Sequence, residues 1–87
     1  MSKHPKTLEG ISLSLETLAS SIGHLSYDQT SVFIKALADD IQKQADADAV
    51  KGREKLSTEL YATAKRLYEA KEKMDLAWEI CKPYMKN

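Results

Sequence analysis

Tyr61 and Lys65 have the Tyr-x-x-x-Lys spacing by which short-chain dehydrogenases lower the pKa of a catalytic tyrosine, and four residues along a helix put both side chains on one face. That chemistry also needs a strand–turn–helix with a glycine-rich loop to cradle a dinucleotide. The three glycines, Gly10, Gly23 and Gly52, are scattered singly along the chain. Tyr61 and Tyr68 are therefore expected to flank a helical core. Asp46, Asp48 and Gly52 suggest a calcium loop, which requires Gly at the sixth position and Glu at the twelfth. Counted from Asp46, those places hold Lys51 and Ser57, and the fifth holds Val50. An acidic helix end is expected there instead.

His4 and His24 are the only histidines, and neither has a second histidine or a cysteine at zinc-ligand spacing, since Cys81 is far along the chain. His24, just after Gly23, suits the carboxyl end of a helix, and His4 a chain terminus. Cys81, close to Trp78, Met85 and Met74, reads as a small hydrophobe in an apolar seam. No catalytic, metal or cofactor site is expected, and the chain is not read as an enzyme.

The elements follow from composition and periodicity. Eighty-seven residues, 43% hydrophobic and 30% charged with few Gly and Pro, fit one all-α domain over residues 1–87. Leu8, Ile11, Leu15, Leu18, Ile22 and Leu25 alternate spacings of three and four, which predicts a first helix over about residues 6–22. It would start near Pro5 or Thr7 and be closed by a left-handed Gly23. Ser26 and Gln29 form a capping-box pattern ahead of a second helix over 27–48. Its expected buried positions are Thr30, Phe33, Ile34, Leu37, Ile41 and Ala45, with Asp39 and Lys43 paired on the solvent side. A third helix is expected over 53–82, ended by Pro83. Its seam runs through Leu56, Leu60, Ala64, Leu67, Met74, Trp78, Cys81 and Met85, with Lys71 as a charged intruder. The expected architecture is a three-helix up-down-up bundle with a long C-terminal helix, oligomeric in solution.

Thirteen basic residues balance thirteen acidic ones, which removes the broad attraction that nonspecific binding to nucleic acid or anionic membranes needs. The balance hides a split: residues 1–50 carry four lysines against seven acids, residues 51–87 nine basic residues against six acids. A nucleic-acid regulator using the basic C-terminal helix is the alternative reading. Against it, Lys55–Glu59, Lys65–Glu69, Glu69–Lys73 and Lys71–Asp75 stand at helical pairing distance. No stretch has the apolar length of a membrane span or signal peptide, the ends carry no lipidation signal, and one cysteine makes no internal disulfide, so a cytoplasmic protein is expected.

Helix 3 is expected to outrun helix 2, whose start would lie opposite about residue 74 and leave the last two turns of helix 3 projecting. Helix 1 has an uncharged back, with Glu16 the only charge between Ser12 and Tyr27. These features point to a small non-enzymatic interaction or adaptor protein that self-associates, most simply as a homodimer, or docks on a helical protein partner. Leu13 on helix 1 and Met74, Trp78, Cys81 and Met85 on helix 3 are the expected contact residues. No small-molecule substrate is implied.

Overall fold

The computed structural model describes residues 4–85. Three α-helices pack together: α1 (Leu15–Gly23), α2 (Tyr27–Val50) and α3 (Glu54–Cys81), with a terminal 3-10 turn (Lys82–Tyr84) and no strand among the described residues. α2 and α3 form a long hairpin, and α1 packs against α2 alone.

α1 is shorter than its apolar periodicity predicts, beginning at Leu15 and not near residue 6. Gly10 adopts φ 77°, a left-handed conformation that breaks a right-handed helix, and Leu8, Ile11 and Leu13 are exposed in the segment ahead of α1. The effective start is Ser14, whose Oγ accepts the Thr17 amide at 3.1 Å. At the other end Gly23 stays helical. The cap is His24, whose backbone amide and Nδ1 both reach the Ser20 carbonyl, at 3.0 and 2.6 Å.

Ser26 precedes α2 as expected, but its side chain makes no capping bond; its carbonyl accepts the amides of Gln29 and Thr30 instead. α2 continues to Val50, two residues past its expected end, and closes in a Schellman motif. Gly52 at φ 78° donates to the Ala49 carbonyl at 3.0 Å, and Arg53 donates to the Asp48 carbonyl at 2.9 Å. The Arg53 guanidinium also reaches the Asp48 carboxylate at 3.0 Å, so turn and side chains lock together. Pro83 ends α3 at Cys81, one residue early, and tightens the chain into the 3-10 turn.

The hairpin closes on small side chains. Ser31, Ala38 and Ala45 of α2 and Ser57 and Ala64 of α3, each set spaced by seven, are buried at the contact, and Ser31 is the largest fully buried side chain among the described residues. The expected core of larger residues is corrected accordingly. Ile34, Ile41, Leu60, Leu67, Met74, Trp78 and Cys81 are half-buried, while Phe33, Leu37, Leu56 and Met85 are exposed. Small residues at the seam let the two backbones approach, which leaves larger neighbours to spread to either side. The register is set by Ser31 donating to the Asp75 carboxylate, so the start of α2 faces about residue 79 of α3 and the overhang is shorter than the expected two turns. The radius of gyration is 15.7 Å, against about 12 Å for a compact domain of this length, and the molecule is a slab of 50 × 30 × 14 Å.

Ala64→Leu forces a branched side chain into the closest part of the seam. It is expected to lower unfolding free energy in urea by about 1–3 kcal/mol, whereas Ile80→Ala, at a position of the same helix that is 73% exposed and turned away from both the seam and the apolar row, costs less. Equal costs would show that the two helices do not meet at Ala64.

Candidate functional site

Successive residues of a helix are turned by about 100°, so the small-residue seam divides the hairpin into two broad faces. On one, Asp39 and Asp46 follow Ala38 and Ala45 directly, and Tyr61 and Tyr68 stand four residues after Ser57 and Ala64. The Tyr61 hydroxyl donates to the Asp46 carboxylate and the Tyr68 hydroxyl to that of Asp39. Lys35 adds an ion pair to Asp39 at 2.9 Å, and Lys71 one to Asp75 at 2.6 Å. This is a polar face, cross-braced by rungs one heptad apart. The expected Lys71–Asp75 pair is present, but Asp39 is held by Lys35 and Tyr68 where Lys43 was expected, and Glu69 by Arg66 at 3.0 Å.

Three residues after each seam position the chain turns to the opposite side. There lie Ile34 and Ile41 of α2 and Leu60, Leu67, Met74 and Cys81 of α3, all half-buried, bordered by the exposed Leu37 and Leu56. This is an apolar face. α1 reaches it only at one end, where the Thr30 hydroxyl donates to the Ile22 carbonyl at 2.8 Å. Leu37 is 40% exposed and Leu56 47% exposed in the uncovered part.

The five residues singled out from the sequence are distributed unevenly over this plan. Met74 lies on the apolar face. Trp78 continues the Ser57–Ala64 heptad and so lies in the seam, half-buried, and does not project beyond α2. Cys81 and Met85 line an open pocket of about 440 Å³ together with Gly23, His24, Leu25, Ser26 and Tyr27, so the α1–α2 connection partly covers the end of α3. Leu13 lies before α1, not on it, and is exposed. Sequence reasoning missed Ser31, Ala38 and Ser57 at the contact and both Tyr–Asp rungs. The seven-residue spacing of small side chains was the available signal for the contact, and the tyrosines one heptad apart the signal for the rungs.

Charge is arranged differently from the halves of the sequence. α2 has five aspartates against two lysines, but α3 has six acids against five basic residues. The positive excess of the second half therefore sits at the turn and the C-terminal end, in Lys51, Arg53, Lys82 and the C-terminal Lys86, which lies outside the described residues. Along the hairpin the basic side chains of Arg53, Arg66, Lys71 and Lys82 are each bound to an acid. No helix among the described residues is long and apolar enough to cross a membrane.

The rungs have a definite pH signature. The hydrogen bond from Tyr68, and then Lys35, hold the Asp39 carboxyl below its ordinary value, and Lys71 and then Ser31 do the same for Asp75. Donation to Asp39 and Asp46 raises the Tyr68 and Tyr61 hydroxyls above theirs. A carboxyl depressed on folding stabilises above its unfolded value of 3.8, and that stabilisation is lost as pH falls through the folded value. A tyrosine raised on folding stabilises below 10.0, and its share is lost as pH climbs through the folded value. Urea midpoints are thus expected to fall at both extremes, and Tyr61→Phe with Tyr68→Phe to flatten the alkaline limb. An unchanged alkaline limb in the double variant would show that the rungs are not formed in solution.

No protein family, curated protein or solved structure matches the chain, so its function is read from this geometry alone.

Proposed function

We propose that the protein is a non-enzymatic interaction module that self-associates through the apolar face of the α2–α3 hairpin, two copies closing face to face as a two-fold, four-helix dimer. One observation carries the reading. Among the described residues the fully buried apolar side chains are three alanines, while Ile34, Leu37, Ile41, Leu56, Leu60, Leu67 and Met74 line one side, none of them fully buried and Leu37 and Leu56 exposed.

Energetics favour a second layer. Burying a Leu or Ile side chain stabilises by about 1.5–3 kcal/mol, against about 0.8 kcal/mol for one methyl-sized group, so three alanines stabilise little beside the cost of ordering the chain. Helical proteins meet this cost by covering each apolar stripe with another element.

A second copy fits the face in size and symmetry. α2 has 24 residues, about 36 Å at 1.5 Å each, and two helices side by side are about 18 Å wide. The whole face is then roughly 650 Å², so two copies bury at most about 1,300 Å² in total, less the end that α1 occupies, which places the contact at the lower end of the range of stable interfaces. A two-fold axis lays identical apolar rows against each other, as an isologous dimer requires. In this arrangement Met74 belongs to the interface, Trp78 backs it from the seam, and Cys81 ends the row where the α1–α2 connection begins to cover it. The ion pairs along α3 give no comparable support to a nucleic-acid surface.

The test is molar mass by light scattering across a concentration series. Wild type is expected to be a dimer. Leu37→Asp, which puts a charge on the apolar face, is expected to give a helical monomer or to raise the dissociation constant by at least about tenfold, equivalent to 1.4 kcal/mol. Val32→Lys, at an exposed position on the polar side, is expected to leave the mass unchanged. A wild type that is monomeric throughout overturns self-association and leaves the apolar face to a different helical partner.

A further inference from the structure

His24 and Cys81 are separated by more than half the chain, yet both line the pocket between the α1–α2 connection and the end of α3, and Met85 joins them. We infer that this pocket is a binding site for monovalent copper, with Nε2 of His24, Sγ of Cys81 and Sδ of Met85 as its donors.

The first support is the state of the histidine. Nδ1 of His24 lies 2.6 Å from the Ser20 carbonyl oxygen, which can only accept a hydrogen bond, so Nδ1 carries the proton. In the neutral ring the lone pair is then on Nε2. Histidines that bind metals are oriented in the same way, one ring nitrogen donating to a backbone carbonyl and the other facing the metal. Here the orienting bond belongs to the helix cap, so the local sequence that ends α1 also sets the tautomer.

The second support is the donor set itself. The residues that line the pocket offer one imidazole, one thiol and one thioether and no carboxylate. This disfavours a structural zinc site, which needs four N, S or O donors, and the hard cations, which need several oxygens. A thiol, a thioether and an imidazole are the ligands that select copper(I), an ion content with two or three donors of this softness. Binding forms a copper–thiolate bond, with the thiol proton released to solvent, and involves no electron transfer. Leu25 and Tyr27 supply apolar wall beside the donors, and the pocket, about 440 Å³, is open enough for a chelated ion to be delivered.

The site does not depend on the dimer. Cys81 ends the apolar row of α3 where the α1–α2 connection shares its cover, and Met85 is exposed after the 3-10 turn.

The experiment is an anaerobic competition in which the reduced protein withdraws copper(I) from a chromophoric chelator, followed by loss of the chelate colour. One equivalent per chain is expected to be withdrawn. Cys81→Ser, Met85→Leu and His24→Gln are each expected to weaken retention by at least about tenfold, and Met74→Leu, outside the pocket, to leave it unchanged. Met85→Leu preserves volume at an exposed position, so its effect is read without loss of fold, and circular dichroism confirms this for all four variants. Failure to withdraw copper, or equal retention by the Cys81→Ser/Met85→Leu double variant, overturns the assignment. A loss in Met74→Leu as large as in Met85→Leu does so too, because the methionines would then bind without regard to the pocket.

Discussion

The close approach of α2 and α3 on Ser31, Ala38, Ala45, Ser57 and Ala64 is the constraint on which the rest of the structure depends. Two helices that met on leucines would bury them between their axes and form a two-helix core. With serine and alanine at the contact there is little volume to bury, so the larger side chains one step round each helix are displaced to the flanks. The hairpin thereby gains two faces of different character. Its turn keeps the same economy, since Gly52 takes the one left-handed conformation the Schellman motif needs and Arg53 closes onto Asp48.

The faces are not interchangeable. On the polar one, Tyr61 and Tyr68 span the gap to Asp46 and Asp39, and Asp75 is shared by Ser31 and Lys71. These bonds fix the register: sliding α3 by one residue would separate both tyrosines from their acceptors and would lift the apolar row from its place beside Ile34 and Ile41. On the apolar face nothing so directional holds the helices, and only volume and the exclusion of water operate. Register is therefore specified by polar groups, and the apolar side contributes only non-directional packing.

The sequence disclosed the helices better than their packing. α2 and α3 were legible within two residues because Gly52 and Pro83 act locally, through backbone geometry that needs no partner. The first seven residues of the Leu8–Leu25 stripe were misleading: Leu8 and Ile11 fit the helical period, but Gly10 and the Ser14 cap decide where α1 starts. The core was misassigned for a different reason. Apolar periodicity marks every side chain that prefers to leave water, and it does not distinguish a residue between two helices from one on the flank of both. Alanine and serine repeated every seven residues carry that distinction, since only small side chains occupy the closest approach. Of the expected contact residues, Met74 was read into one seam with Ala64 and Trp78, whereas it continues the half-buried row of Leu60 and Leu67 beside that seam. The meeting of His24 with Cys81 and Met85 was invisible, because it depends on the register of the hairpin and the path of the α1–α2 connection together.

A single physical asymmetry links the two proposals for this chain. α1 is too short to cover the apolar face, so it occupies one end of it and leaves the remainder open. At the covered end the connection meets α3 through a histidine, a thiol and a thioether, groups whose softness suits a specific ligand; along the open part the side chains are aliphatic and suit a second helical layer. Had α1 begun at residue 6, as its stripe suggests, a longer helix could have lain along the face and closed a monomeric bundle. The break at Gly10 and the cap at Ser14 thus fix α1 at Leu15–Gly23 and leave the aliphatic part of the hairpin face without a helix of its own chain along it.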